Sequence, residues 1–163
     1  MASVTRQIEI TVRMANEPAA LGRLMAVAGT CGVEILAAGS YWDRTGALMM
    51  LVTDDARRTT RALAAAGFEC KSNPILLVEA PDEPGLAARL GATLSAAGIG
   101  VVFSYAFRSE RNLSYVVFKT TDDERALQLL EVETLIHGWA SAKRSPQPAA
   151  AAIEEAHSNS CAA

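Results

Sequence analysis

An internal repeat limits what a chain can fold into more than any single motif, because each copy must make the same local structure. Asn16-Glu-Pro-Ala-Ala-Leu-Gly-Arg-Leu24 and Asp82-Glu-Pro-Gly-Leu-Ala-Ala-Arg-Leu90 lie 66 positions apart. Glu17 matches Glu83, Pro18 matches Pro84, Arg23 matches Arg89 and Leu24 matches Leu90. The same offset sets Ala26 on Ala92, Gly32 on Gly98, and Val33-Glu-Ile-Leu over Ile99-Gly-Val-Val. With two residues inserted in the second copy, Thr53-Asp-Asp-Ala-Arg57 falls over Thr121-Asp-Asp-Glu-Arg125. The chain reads as a duplication with a unit of about 65–70 residues, within the size of a small domain.

Each copy parses from its pattern. Ile8-Glu-Ile-Thr-Val-Arg-Met14 alternates apolar and polar residues, the period of a half-buried strand. Asn16 and Asp82 are N-cap candidates, followed by Pro18 and Pro84 where a helix's first turn accepts proline. Leu21, Leu24, Met25 and Ala28 share one helical face, as do Leu86, Leu90 and Ala97, and Gly32 and Gly98 supply the left-handed stops. Hairpins follow at Ile35–Trp42 with Ala47–Thr53, and at Val101–Arg108 with Leu113–Lys119. Asp54-Asp55 and Asp122-Asp123 then open helices whose dipoles favour them. Phe68–Lys71 is expected to close the first unit, Ile75–Glu79 to open the second, and Leu135–Ala140 to close that. The order βαββαβ, twice, predicts an α+β fold of two tandem ferredoxin-like sandwiches, with helices on one sheet face. The expected boundaries are residues 6–72, 73–141, and a flexible tail over 142–163.

These residues carry a family resemblance. The stretch Asn16 to Gly32, and more fully Asp82-Glu-Pro-Gly-Leu to Gly98-Ile, resembles the opening of an ACT domain, an amino-acid-binding regulatory module. Over residues 6–141 the chain is similar to stand-alone tandem ACT proteins. The resemblance implies a ligand held between modules, against the loop that enters the first helix. Physically, such a loop offers unpaired N–H groups and a positive dipole end to an α-carboxylate. Gly85 permits close backbone approach, whereas the first copy has Ala19 there. The implied ligand-binding residues are Asn16, Glu17, Pro18, Ala19 and Ala20 in one loop and Asp82, Glu83, Pro84, Gly85 and Leu86 in the other. Ala38, Gly39, Ser104 and Tyr105 of the second strands are expected near the seam. Asn16 and Asp82 either cap their helices or accept a hydrogen bond from a ligand ammonium. Two modules pairing side by side would give an eight-stranded sheet, and a homodimer would cover more of its exposed face and edges.

Other function classes find little support. Fifteen basic against eighteen acidic residues, spread over both halves, argue against a nucleic-acid binder. Half the residues are hydrophobic, which is enough for a core, yet no run approaches the ~20 residues of a membrane span. The N-terminus lacks a signal-peptide pattern, and Cys31, Cys70 and Cys161 lack CxxC spacing, so a cytoplasmic protein with reduced thiols is expected. Gly98-Ile-Gly100 precedes a strand, the reverse of a dinucleotide fingerprint, and no cofactor is expected. His157 and Cys161 have no companion ligands, so no metal is expected. With no nucleophile, acid or base set in view, the expectation is a non-catalytic regulatory protein. The alternative is a regulatory subunit that binds an enzyme of amino-acid metabolism.

Overall fold

A computed structural model describes residues 2–15, 17, 19–43, 46–109 and 112–136. The expected tail over 142–163, and residues 137–140 of the expected last strand, lie outside them. The elements are β1 (Ser3–Met14), α1 (Ala20–Thr30), β2 (Ile35–Asp43), β3 (Gly46–Thr53), α2 (Ala56–Ala65), β4 (Cys70–Pro81), α3 (Leu86–Ala96), β5 (Val101–Arg108), β6 (Leu113–Thr120) and α4 (Asp123–Ile136). The order βαββα thus occurs twice, within one antiparallel sheet of order β2-β3-β1-β4-β6-β5.

Helix ends follow the sequence signals where capping chemistry is strong. Asp55 accepts the Arg58 N–H at 2.9 Å to start α2, and Asp122 accepts the Arg125 N–H at 3.0 Å to start α4. At the end of α3, Gly98 takes φ 70° while Ile99 N–H reaches back to the Leu94 carbonyl at 3.0 Å. Asp82 departs from expectation. The position that caps α3 is Gly85, and the Asp82 carboxylate instead accepts from Ser114 Oγ at 2.6 Å and pairs with Arg108 at 2.5 Å. Arg108 projects from β5 and Ser114 from β6, and their charge-assisted bonds outcompete a distant helix N–H.

The strand count also departs from expectation. Phe68–Lys71 and Ile75–Glu79 were expected as separate strands, but they lie on or beside one continuous strand, β4, into which the 72/73 boundary falls. Leu135 and Ile136 belong to α4 rather than to a closing strand. The place of that strand is taken by the N-terminal half of β1. Ser3 pairs with Glu79 and Thr5 with Leu77, while the rest of β1 continues to Cys70. Two long central strands therefore serve both halves, and the described sheet has six strands, not eight. Ile8 pairs with Pro74, its own repeat mate at the offset of 66, so an approximate two-fold axis passes between them.

All four helices pack on one face. Ile10, Val12, Leu24, Leu51 and Leu63 form the core of the first half, and Leu76, Val78, Leu90, Leu94, Val116, Phe118 and Leu130 that of the second. Val4 of β1 is buried in the second core, so the shared strand is packed there as well as hydrogen-bonded. Each fully buried Leu or Ile contributes about 1.5–3 kcal/mol. The other face is not left bare. The sheet curls until its edge strands approach, and Ala37, Val52, Ile75, Leu77 and Val117 make a third cluster beneath Phe103, Tyr105 and Tyr115.

Candidate functional site

Strand alternation sends Glu9 and Thr11 to the inner face, opposite the helix-facing Ile10 and Val12. Glu9 is 1% exposed there. Tyr105 Oη donates to its Oε2 at 2.9 Å from β5, and Thr11 Oγ1 donates to its Oε1 at 3.3 Å. Asn73, paired with Glu9 across the β1–β4 ladder, donates to Thr11 Oγ1 at 2.6 Å. Burial pushes the Glu9 carboxyl above the ordinary carboxylate range, against the opposing pull of these hydrogen bonds. Burial, and then the nearby Glu9 charge, also push the Tyr105 hydroxyl strongly upward. The pair acts as a polar tie across the curled sheet.

Gly39 packs beside that tie. A Cβ built at Gly39 would stand 3.1 Å from Met50 Cε and 3.7 Å from Tyr105 Cδ2. Gly39 and Tyr105 are repeat mates at the offset of 66. Across the approximate axis, one copy omits a side chain and the other copy's tyrosine fills the space.

Two cavities flank the end of the sheet where β1 leaves for α1. On the helix side a cavity of about 620 Å³ is lined by Arg13, Ala20, Arg23, Val27, Phe68 and Glu69, among others. On the inner face a smaller cavity of about 200 Å³ is lined by Thr11, Arg13, Leu48, Glu69 and Lys71. Arg13 and Glu69 border both. Cations and a carboxylate around small apolar walls suit a small molecule bearing both charges. Among the described residues no group of three or more His, Cys, Asp or Glu gathers as a metal site.

The residues named from sequence fall in three places. Ala19 and Ala20 begin α1, with Ala20 buried and Glu17 paired to Arg23 at 3.5 Å, while Asn16 and Pro18 lie outside the described residues. Glu83, Pro84, Gly85 and Leu86 begin α3, with Gly85 at φ 84°. Arg89 folds back over this turn, reaching the Pro84 carbonyl at 3.4 Å and Glu83 at 3.5 Å. Ala38 packs toward the first helix-side core, Ser104 is exposed, and Gly39 meets Tyr105 at the edge seam. Because β1 and β4 run antiparallel, the two loops leave opposite ends of a sheet roughly 40 Å long. Gly39 lies level with Thr11 through Met50, and so about 10 Å back from the end of β1. The fold thus joins the second strands to each other and holds both loops away from them.

Sequence reasoning passed over Glu9, Thr11 and Asn73. The strand alternation puts Glu9 on the polar face, which reads as solvated. Its repeat mate is Ile75, an apolar residue, and that contrast is the signal of a buried face.

Residues 74–133 match the family profile described as the ACT domain. No curated protein matches the chain. Among solved structures, a Bacteroides thetaiotaomicron protein is similar at TM-score 0.67 and 20% identity, over 82% of this chain and 90% of that one. The regulatory subunit of aspartate kinase from Thermus thermophilus is similar at TM-score 0.55 and 14% identity, over 79% and 93%. The corresponding subunit from Thermus flavus gives 0.56 and 16%, over 79% and 94%. At these identities the likeness is one of fold.

Proposed function

We propose that the chain is a non-catalytic regulatory protein of two tandem ACT domains, over residues 6–72 and 73–141, that binds an amino acid between ACT modules. The observation that carries this reading is the turn from Asp82 to Leu86. It lies inside the stretch that matches the ACT profile, and its left-handed Gly85 opens α3. The first N–H groups of such a helix lack partners and favour a carboxylate. Recurrence of βαββα in the other half, and a fold shared with regulatory subunits of aspartate kinase, support the tandem reading.

This reading calls for a second copy of the chain. With the loops at opposite ends of the sheet and away from Ala38, Gly39, Ser104 and Tyr105, the second strand facing a loop comes from another copy. Tyr41, Trp42, Val102 and Phe107 on the edge strands are about half exposed or more, and they supply an apolar surface for a homodimer. An amino acid bound at that junction favours one arrangement of modules over another, and its differential affinity sets the size of the switch.

Thermal unfolding in the presence of each of the twenty amino acids tests the reading. At 100 times its dissociation constant a ligand adds about 2.7 kcal/mol, a rise of a few degrees. One selective stabiliser whose effect is lost in Gly85→Ala is the expected result. No shift with any amino acid contradicts it. The second reading, a regulatory subunit docked on an enzyme, is favoured by Val132, Leu135 and Ile136, which are 52–77% exposed along α4. Co-purification of an enzyme lost on Leu135→Glu would decide for it.

A further inference from the structure

The inner-face cavity holds a charge pattern that the repeat does not share. Arg13 pairs with Leu48 of β3, and Thr11 pairs with Lys71 of β4. Glu69 precedes Cys70, the partner of Val12, and lines the same cavity as Arg13. Side chains at alternate positions on a strand share a face, so all five line one chamber. The offset of 66 carries Thr11 and Arg13 to Leu77 and Glu79, and Lys71 and Glu69 to Thr5 and Ser3. Those four residues are themselves paired, Thr5 with Leu77 and Ser3 with Glu79, at the other end of the sheet. There one charge stands where the first half has three. The half with the charged chamber is also the half whose loop has Ala19 in place of glycine.

We propose that this chamber is a ligand site of the first half and takes a small α-amino acid. The ligand's carboxylate lies between Arg13 and Lys71, its ammonium faces Glu69, and its side chain rests on Leu48. The assignment rests on the amino-acid reading above and names a place for the ligand other than the loops. A volume of about 200 Å³ is on the scale of a single amino acid. It falls below the ~300 Å³ at which drug-sized ligand pockets begin. Thr11 gives the chamber a fixed wall, because its hydroxyl is held between Glu9 and Asn73 at 3.3 and 2.6 Å. An ordered wall lowers the entropy cost of binding.

The test is calorimetric titration of the full chain with glycine, alanine, serine and valine, and with phenylalanine, arginine and tryptophan as large probes. Binding of the small set only, about tenfold to a hundredfold weaker in Lys71→Ala and in Glu69→Gln, is expected. Leu48→Trp fills the chamber and should abolish binding, while the exposed Arg125→Ala should not change it. Lys71 and Glu69 are exposed, so their variants fold even if Leu48→Trp does not. Binding that survives Leu48→Trp and Lys71→Ala but is lost in Gly85→Ala places the ligand at the loop, overturning this assignment while leaving the amino-acid reading intact. Preferential binding of the large set also overturns it. If no amino acid binds the unmodified chain, the amino-acid reading and this site fall together.

Discussion

Glu9 shows how one residue's chemistry reports on the whole sheet. Its carboxyl is raised by burial, so folding shifts it toward the protonated form. Its contribution to stability is complete below the ordinary glutamate value of about 4.3 and is lost as pH rises through the raised folded value. Glu9→Gln keeps an acceptor for Tyr105 without the charge. The variant should therefore gain stability relative to the unmodified protein between about pH 4 and pH 8. Urea unfolding at both pH values measures this, and a variant equally destabilised at both would contradict it. Gly39 belongs to the same scale. Gly39→Ala asks only the flexible tip of Met50 to move, and should cost under about 1 kcal/mol. Gly39→Leu drives a side chain into Tyr105 and should cost about 1–3 kcal/mol, measured in the same unfolding experiment.

At the scale of elements, much of the fold was legible and the sheet's closure was not. Apolar spacing, Asp55 and Asp122 caps, and glycine stops are local signals, and the helices begin and end beside them. Asp82 carries the same local signal as a cap, but partners on β5 and β6 claimed it, contacts that no spacing discloses. The strand that completes the second half lies at the opposite end of the sequence from Leu135, where it was expected. Ser3 and Glu79 are 76 positions apart in sequence, and no local pattern encodes their pairing. Gly39 and Tyr105 were expected near a ligand seam by family resemblance, and their contact with each other follows from their shared repeat position. Closure by β1 has a direct consequence. Val4→Asp places a charge in the second core and should destabilise that half by more than the 1.5–3 kcal/mol of the lost burial alone. Hydrogen exchange should then show faster exchange in α3 and α4 than in α1 and α2. Equal acceleration in both halves would mean that the core of the second half does not depend on Val4.

The whole molecule combines a repeated βαββα architecture, a stretch over residues 74–133 that matches the ACT profile, and a charged chamber in the first half. The proposed pairing of two copies through the edge-strand aromatics predicts a dimer by sedimentation velocity, weakened in Trp42→Ser, where Trp42 is 55% exposed in the single chain. A monomer at tens of micromolar would leave each loop without a facing strand and contradict the inter-copy seam. The proposed function is that of an amino-acid receptor. It is tested most directly by following the backbone amide NMR resonances of the full chain as each amino acid is added. The account predicts one small amino acid that shifts a compact set of resonances around Arg13, Leu48, Glu69 and Lys71 or around Asp82 to Leu86, with the remainder of the sheet unmoved. A spectrum unchanged by all twenty would contradict it.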